Sequence, residues 1–192
     1  MALSFFWPGA ERSELTSEQL YSRYQQYSDI NALEQLITLH GNALYHFLLR
    51  QSDRMLAEDI SQQCWLKLVT TQAGFAGQSS FKTWLFTMAR HSLIDELRRL
   101  SRWQWQALDE DDTAMQICPE DILAIRQQKL QFSELMKLLP FTQREALMLQ
   151  LEGFALSEIC QITAQGAETI KSRLRYARQF LQQLAGDSDD NA

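Results

Sequence analysis

The chain has 192 residues, 45% hydrophobic and 22% charged, with 24 acids against 18 bases for a formal net charge of -6. That length fits one full-sized domain or two small ones, and the apolar share excludes wholesale disorder. No stretch approaches the ~18–20 uninterrupted apolar residues of a membrane span, and the run 3–7 is too short for a signal-peptide core, so a cytoplasmic chain is expected.

The overall sign hides an uneven distribution. Six acids and no base lie in 106–125 (Asp109, Glu110, Asp111, Asp112, Glu120, Asp121), and the tail adds Asp187, Asp189 and Asp190. Without those nine the chain holds 15 acids against 18 bases, a balance of +3. Residues 82–102 carry five bases against two acids, and 168–178 carry four against one. Acidity of the whole therefore excludes nothing about nucleic acid.

Apolar residues recur at helical spacing nearly throughout, and no strand-like alternation is sustained. Asp29 reads as the cap of a helix over 31–50, with Leu33, Leu36, Ile37, Leu44, Phe47 and Leu48 on its apolar face. Ser52 or Asp53 precedes a second helix, in which Ile60, Cys64, Leu66 and Leu68 recur. Gly74 and Gly77 mark 71–80 as a loop, and Ser79 and Ser80 precede a helix over 81–100. Residues 106–119 are acidic and free of periodicity, which predicts a linker. The expected division is a helical domain over 15–105, a linker over 106–121 and a smaller helical domain over 122–185. Residues 1–14 and 186–192 are expected to be loose. A single helical bundle with one long acidic loop is the alternative. Thr142 and Glu145 match the S/T-x-x-E capping box.

Chemistry is sparse. Cys64, Cys118 and Cys160 show no CxxC spacing, and His40, His46 and His91 form no HExxH pair. No phosphate loop or nucleophile elbow appears, so neither an enzyme nor a cofactor nor a metal site is expected. Residues 155–162 form a short helix and 168 onward a long one, with a tight turn over 163–167. This is the helix-turn-helix pattern. The second helix would bury Ile170, Leu174 and Ala177 and turn Lys171, Ser172, Arg175, Tyr176 and Arg178 outward, where cations hold phosphates or read guanine edges. A merely solvated basic face stays open as the plain alternative. Phe75, Phe81, Trp84 and Phe86 lie near Lys82 and Arg90, with Arg98, Arg99, Arg102, Trp103 and Trp105 beyond. Rings among bases suit single-stranded nucleic acid, yet Phe81, Leu85, Met88, Leu93 and Trp84 at helical spacing equally suit a core. The small polar loop 74–80 could surround an extruded base. Asp59, Gln62 and Gln63 share a helical face that could dock a basic partner.

Four stretches in this order, AEDISQQCWLKL (57–68), FAGQSSFKTWLFTMARHSLIDELRR (75–99), LPFTQREALMLQLEGF (139–154) and ETIKSRLRYAR (168–178), resemble the extracytoplasmic-function (ECF) sigma factors of the sigma-70 family. The resemblance spans roughly 20–184 and implies an all-α fold of two helical domains. It implies a promoter-specificity subunit, without catalysis, whose partners are core RNA polymerase, promoter DNA and an anti-sigma factor or other regulator. Glu58, Asp59, Gln62 and Gln63 would bind core polymerase. Phe75, Gly77, Ser79, Ser80, Lys82, Trp84, Arg90 and His91 would recognise and melt the −10 element. Glu168, Thr169, Lys171, Ser172, Arg173, Arg175, Tyr176 and Arg178 would read the −35 duplex, and the acidic linker would run toward the RNA path. Ala155 and Gly166 stand where the family often places capping serines, and Ala164 where it often has glycine. A conventional helix-turn-helix regulator, independent of polymerase, and a helical adaptor protein are the competing readings.

Overall fold

Thr16 opens the first helix with a reciprocal cap: its hydroxyl accepts the Gln19 N–H at 3.3 Å while Gln19 Oε1 accepts the Thr16 N–H at 2.9 Å. A computed structural model describes residues 15–70, 74–105 and 132–189, and among these all regular structure is helical. Helix α1 (Ser17–Tyr27) ends at Ser28 in the left-handed region, φ 52°. Helix α2 (Ile30–Gln51) is capped by Asp29, whose Oδ1 accepts the N–H groups of Asn31 and Ala32 and whose Oδ2 pairs with Arg23 at 2.7 Å. Asp53 accepts the Leu56 N–H at 2.9 Å at the start of α3 (Arg54–Thr70). Ser80 accepts the Thr83 N–H at 3.1 Å and so caps α4 (Phe81–Trp105), which runs five residues past the predicted end.

The four C-terminal helices are α5 (Phe132–Lys137), α6 (Phe141–Leu151), α7 (Leu156–Thr163) and α8 (Ala167–Asp189). The connection between α7 and α8 turns on Ala164, which adopts φ 54° and ψ 40°, a conformation that glycine takes without the Cβ penalty. Ala155 supplies no side-chain cap to α7. Instead Glu158 accepts the Ala155 N–H at 2.9 Å, half of a capping box without its hydroxyl.

Helix α2 is central: α1, α3 and α4 pack around it, with Leu36, Leu44, Leu48, Ile60, Phe81 and Leu85 at most 1% exposed. In the C-terminal half α6 lies along α8, with Ile159, Ile162, Ile170 and Ala177 buried. The two halves also meet, through α4 against α7 and α2 against α6. Phe86 and Phe154 cross this seam edge to face at 4.8 Å, and the buried apolar residues of both halves form one continuous cluster. Burying each Leu, Ile, Met or Phe side chain of this cluster contributes about 1.5–3 kcal/mol.

At Thr142, Glu145, Ile37 and Leu66 the structure departs from the sequence expectation. Thr142 and Glu145 do not form a capping box: α6 starts earlier, at Phe141 after Pro140, and no side chain caps it. Glu145, 0% exposed, turns to Arg90 instead. Ile37 and Leu66, read from their spacing as part of the apolar pattern of their helices, are 41% and 60% exposed. Residues 106–121, and with them the acidic linker, lie outside the described residues, as do residues 1–14, 122–131 and Cys118.

Candidate protein- and nucleic-acid-binding faces

Helix α3 buries Ala57, Ile60, Cys64 and Leu68, which commits one face to α2 and α4 and leaves the opposite face outward. Asp59, Gln62 and Gln63 stand exposed on it, whereas Glu58 is half-buried and holds Arg54 at 2.8 Å. Three apolar side chains share the outward face and were not among the expected site residues: Met55 (73% exposed), Leu66 (60%) and Val69 (47%). Met55, Asp59, Gln62, Leu66 and Val69 follow one another at spacings of four, three, four and three. That is the interval at which one helix presents a continuous seam to another. The signal is present in the sequence, but Leu66 recurs there beside the buried Ile60, Cys64 and Leu68, which masks its outward direction.

The loop before α4 is fixed by packing. Tyr21 Oη accepts the Phe75 N–H at 3.3 Å, and a Cβ on Gly74 would collide with that hydroxyl. Phe75 and Trp84 join Tyr21 and Phe81 in an aromatic cluster with ring centroids 5.5–6.0 Å apart. Both are half-buried, so their stacking faces are largely occupied by other rings. Gly77 is exposed at φ 71° with open space around it, Ser79 is half-buried, and His91 is exposed.

The remaining −10 candidates point into the seam. Lys82 Nζ donates to the Glu152 carbonyl at 2.6 Å and lies 4.6 Å from the Phe154 ring centroid. Arg90 donates to Glu145 through Nε at 2.7 Å and Nη2 at 3.3 Å. Ser80 and Thr83 donate their hydroxyls to Glu158 Oε1 at 3.2 and 2.7 Å. Burial raises the Glu158 carboxyl, but the Ala155 N–H, the two hydroxyls and nearby Lys82 outweigh it and hold the group below its ordinary range. Glu145, Glu152, Phe154, Glu158 and Thr83 thus hold or neighbour these candidate residues in the seam, although none was expected there. A carboxylate on the apolar face of α6, three and four residues before Met148 and Leu149, was the available signal for Glu145.

On α8 the expected periodicity holds. Ile170, Leu174 and Ala177 are buried, while Glu168, Thr169, Lys171, Arg175, Tyr176 and Arg178 are exposed and Ser172 and Arg173 half-buried. Lys171 pairs with Glu168 at 2.8 Å, which holds the Lys171 ammonium above and the Glu168 carboxyl below their usual values. The Arg175 guanidinium lies 4.9 Å from the Tyr176 ring centroid. Arg178 reaches back to Gln150 Oε1 of α6 at 2.6 Å. Among the described residues no group of His, Cys, Asp and Glu is placed to hold a metal ion, and no helix is long and apolar enough to cross a membrane.

Known proteins share the sequence pattern and the helical fold. The family model of sigma-70 region 2 matches residues 36–103. RNA polymerase sigma factor YlaC of Bacillus subtilis is 25% identical over 77% of the chain and 88% of its own length. ECF RNA polymerase sigma factor SigC of Mycobacterium tuberculosis is 28% identical over 78% of the chain and 81% of its own. The sigma factor RpoE from Bartonella quintana, solved in complex with the anti-sigma factor NepR, superposes with a TM-score of 0.63. That match is 27% identical and covers 80% of this chain and 96% of that one. CnrH, solved with the cytosolic domain of CnrY, shares the fold at a TM-score of 0.60 and 18% identity.

Proposed function

We propose that the chain is an ECF sigma factor of the sigma-70 family, as its matches support, and that it directs core RNA polymerase to promoters through three faces on two domains. Residues 15–105 form the core-binding and −10 domain, 106–121 the linker, and 122–185 the −35 domain. On α3, Asp59, Gln62 and Gln63 form the polar part of the polymerase-docking seam, with Met55, Leu66 and Val69 as its apolar part and Glu58 at its edge. On α8, Lys171, Arg173, Arg175 and Arg178 contact phosphates or guanine edges of the −35 duplex, with Glu168, Thr169, Ser172 and Tyr176 beside them. On the third face Lys82, Arg90 and His91, with the loop of Gly77, Ser79 and Ser80, hold the unpaired −10 strand, while Phe75 and Trp84 shape its floor. The protein performs no covalent chemistry: binding energy for flipped bases shifts the duplex toward the open state.

The observation that carries this reading over a conventional helix-turn-helix regulator is the exposed seam on α3. Such a regulator needs only the basic face of α8. A second helix presenting Met55, Leu66 and Val69 to solvent at coiled-coil spacing has a use only if another protein covers it.

The seam contacts of Lys82, Arg90, Ser80 and Thr83 add a second element to the proposal. These groups are engaged by α6 and α7, so the arrangement described is a closed one, and −10 binding requires the halves to part. An anti-sigma factor, the kind of partner with which the Bartonella RpoE was solved, would act by holding this arrangement. The site of action is the cytoplasm, on the nucleoid where polymerase works.

The test is reconstitution. Purified protein added to core polymerase should initiate from a subset of promoters in a genomic template library; activation of none overturns the proposal. Neutralising Lys171, Arg173 and Arg175 together should abolish −35-dependent initiation and spare polymerase binding. Changing Asp59 and Gln62 should weaken polymerase binding, and initiation from every promoter with it, while leaving the −35-binding face of α8 intact.

A further inference from the structure

A cleft of about 580 Å³ opens on the seam between the two halves, away from the −10 contacts. Its walls come from three places: Arg50, Gln51, Asp53 and Arg54 at the α2–α3 junction, Lys137 at the end of α5, and Arg144 on α6. Among the described lining residues the arginines are Arg50, Arg54 and Arg144, and the carboxylate is Asp53. That carboxylate is already used, since Asp53 holds the Leu56 N–H. Arg54 is partly neutralised by Glu58 on its outer side.

Arg144 is the unusual member. Burial disfavours its charge, yet its hydrogen bonds all go to neutral oxygens: Gln51 Oε1 at 3.2 Å and the carbonyls of Lys137 and Leu139 at 3.3 and 3.4 Å. Among the described residues no carboxylate pairs with Arg144 or with Arg50. Arg144 is half-buried, and a cation partly withdrawn from water without a counter-charge carries a desolvation cost that an anion in the cleft would offset. Gln51 makes the same point independently. It is 4% exposed, and Arg144, a donor only, fixes its carboxamide with the oxygen toward the guanidinium. Its Nε2 is left buried without a hydrogen-bond partner. An anionic oxygen seated against Gln51 would give that amide its missing acceptor and Arg144 its missing counter-charge.

We propose that this cleft binds a phosphate-type anion, free or as the terminal group of a phosphorylated metabolite. Guanidinium forks from Arg50 and Arg144 match two edges of a tetrahedral oxyanion. The volume lies within the ~300–1,000 Å³ usual for small-ligand sites, so there is room for more than the anion itself. Both halves build the wall, so the anion would bridge them. The site does not depend on the promoter reading, because none of its residues belongs to the three faces assigned there.

Calorimetric titration of the full chain, in low-salt buffer without added phosphate or sulfate, tests the proposal with inorganic pyrophosphate and with ADP as probes. Saturable one-to-one binding of at least one probe is expected. Tighter binding of ADP would assign the site to a phosphorylated metabolite, and tighter binding of pyrophosphate to the free anion. Arg50→Gln, which removes a cation that bridges no elements, should weaken binding roughly tenfold or more. Arg144→Lys, checked for folding by circular dichroism, should weaken it through loss of the fork while keeping the charge. Arg23→Gln, which removes an exposed cation on α1, should bind as the parent does. Absence of saturable binding at millimolar probe, unchanged affinity in Arg50→Gln, or an equal loss in Arg23→Gln would overturn the proposal.

Discussion

Arg90 and Glu145, 55 positions apart in the chain, meet in a fork at 2.7 and 3.3 Å, with the carboxylate side chain 0% exposed and the guanidinium 16%. The pair joins α4 to α6 and withholds from solvent the arginine assigned to the −10 strand. A buried pair is hard to read as net stabilisation, since desolvating both charges offsets most of their attraction. Its asymmetry on disruption is clearer, because removing one partner strands the other.

Glu145→Gln keeps the shape and one acceptor but removes the charge. The closed arrangement should weaken by about 1–1.5 kcal/mol, the difference between a charge-assisted and a neutral hydrogen bond. Amide exchange across 81–90 and 145–158 should quicken, and the free protein should bind a single-stranded −10 oligonucleotide about five- to tenfold more tightly. Arg90→Ala should quicken the same exchange without the gain in strand binding. Equal strand affinity in Glu145→Gln and the parent would show that the pair does not compete with DNA.

Glu158 makes the seam sensitive to acid. Its carboxyl is held below its ordinary value near 4.5, so the folded state favours the charged form more than the unfolded chain does. The stabilisation is complete above that ordinary value and is lost as pH falls through the lowered one. Glu158→Gln should therefore reduce thermal stability at neutral pH and leave a smaller difference from the parent in the acid range. Melting curves across pH 3–7 check this, and a difference that stays constant over that range would refute it.

Much of this was legible in the sequence because it is local. Asp29 announces α2 by a cap that spans three residues, and Ile170, Leu174 and Ala177 set the face of α8 by spacing alone. The seam was not legible, for three physical reasons. The partner of Lys82 is a backbone carbonyl, which no side-chain pattern marks. Glu145 followed Thr142 at capping-box spacing, and the proline before α6 moved the helix start away from that threonine. Aromatics beside bases fit both a strand-binding surface and a core; the packing of Phe75 and Trp84 against Tyr21, over fifty residues earlier, gives them a structural role first.

Cys64 is fully buried on α3, and burial raises its thiol to about 11. The nucleophile is the thiolate, so this cysteine should resist iodoacetamide at neutral pH and react only when the chain unfolds. Half-buried Cys160 should label before Cys64. Mass spectrometry after brief labelling, with and without denaturant, measures both; rapid native modification of Cys64 would mean that α3 opens readily.

Ala164 occupies the left-handed region without being glycine, at a cost of about 1–2 kcal/mol. Ala164→Gly relieves that strain but adds backbone freedom to the unfolded chain, so a net gain of about 0.5–1 kcal/mol is expected. Gly153, at φ 85° with no atom within 4 Å of a built Cβ, is the converse: Gly153→Ala should lose a similar amount through backbone strain alone. Thermal unfolding decides both, and a loss in Ala164→Gly would show that the turn depends on the alanine methyl.

The seam on α3 separates partner binding from stability more sharply than any other feature. Met55 and Leu66 are largely solvent-exposed, so Met55→Glu and Leu66→Glu remove little from the core and should change unfolding free energy by less than about 0.5 kcal/mol. In a helix-to-helix interface the same changes place charges in the apolar line, and each should weaken polymerase binding by at least about 2 kcal/mol, roughly thirtyfold. Asp59→Ala should cost less, since a rim charge chiefly tunes association rate and salt dependence. Pull-down with core polymerase beside denaturant melts of the free chain gives the two readouts. Normal polymerase binding by both glutamate variants would move the docking site off α3, whatever their stability.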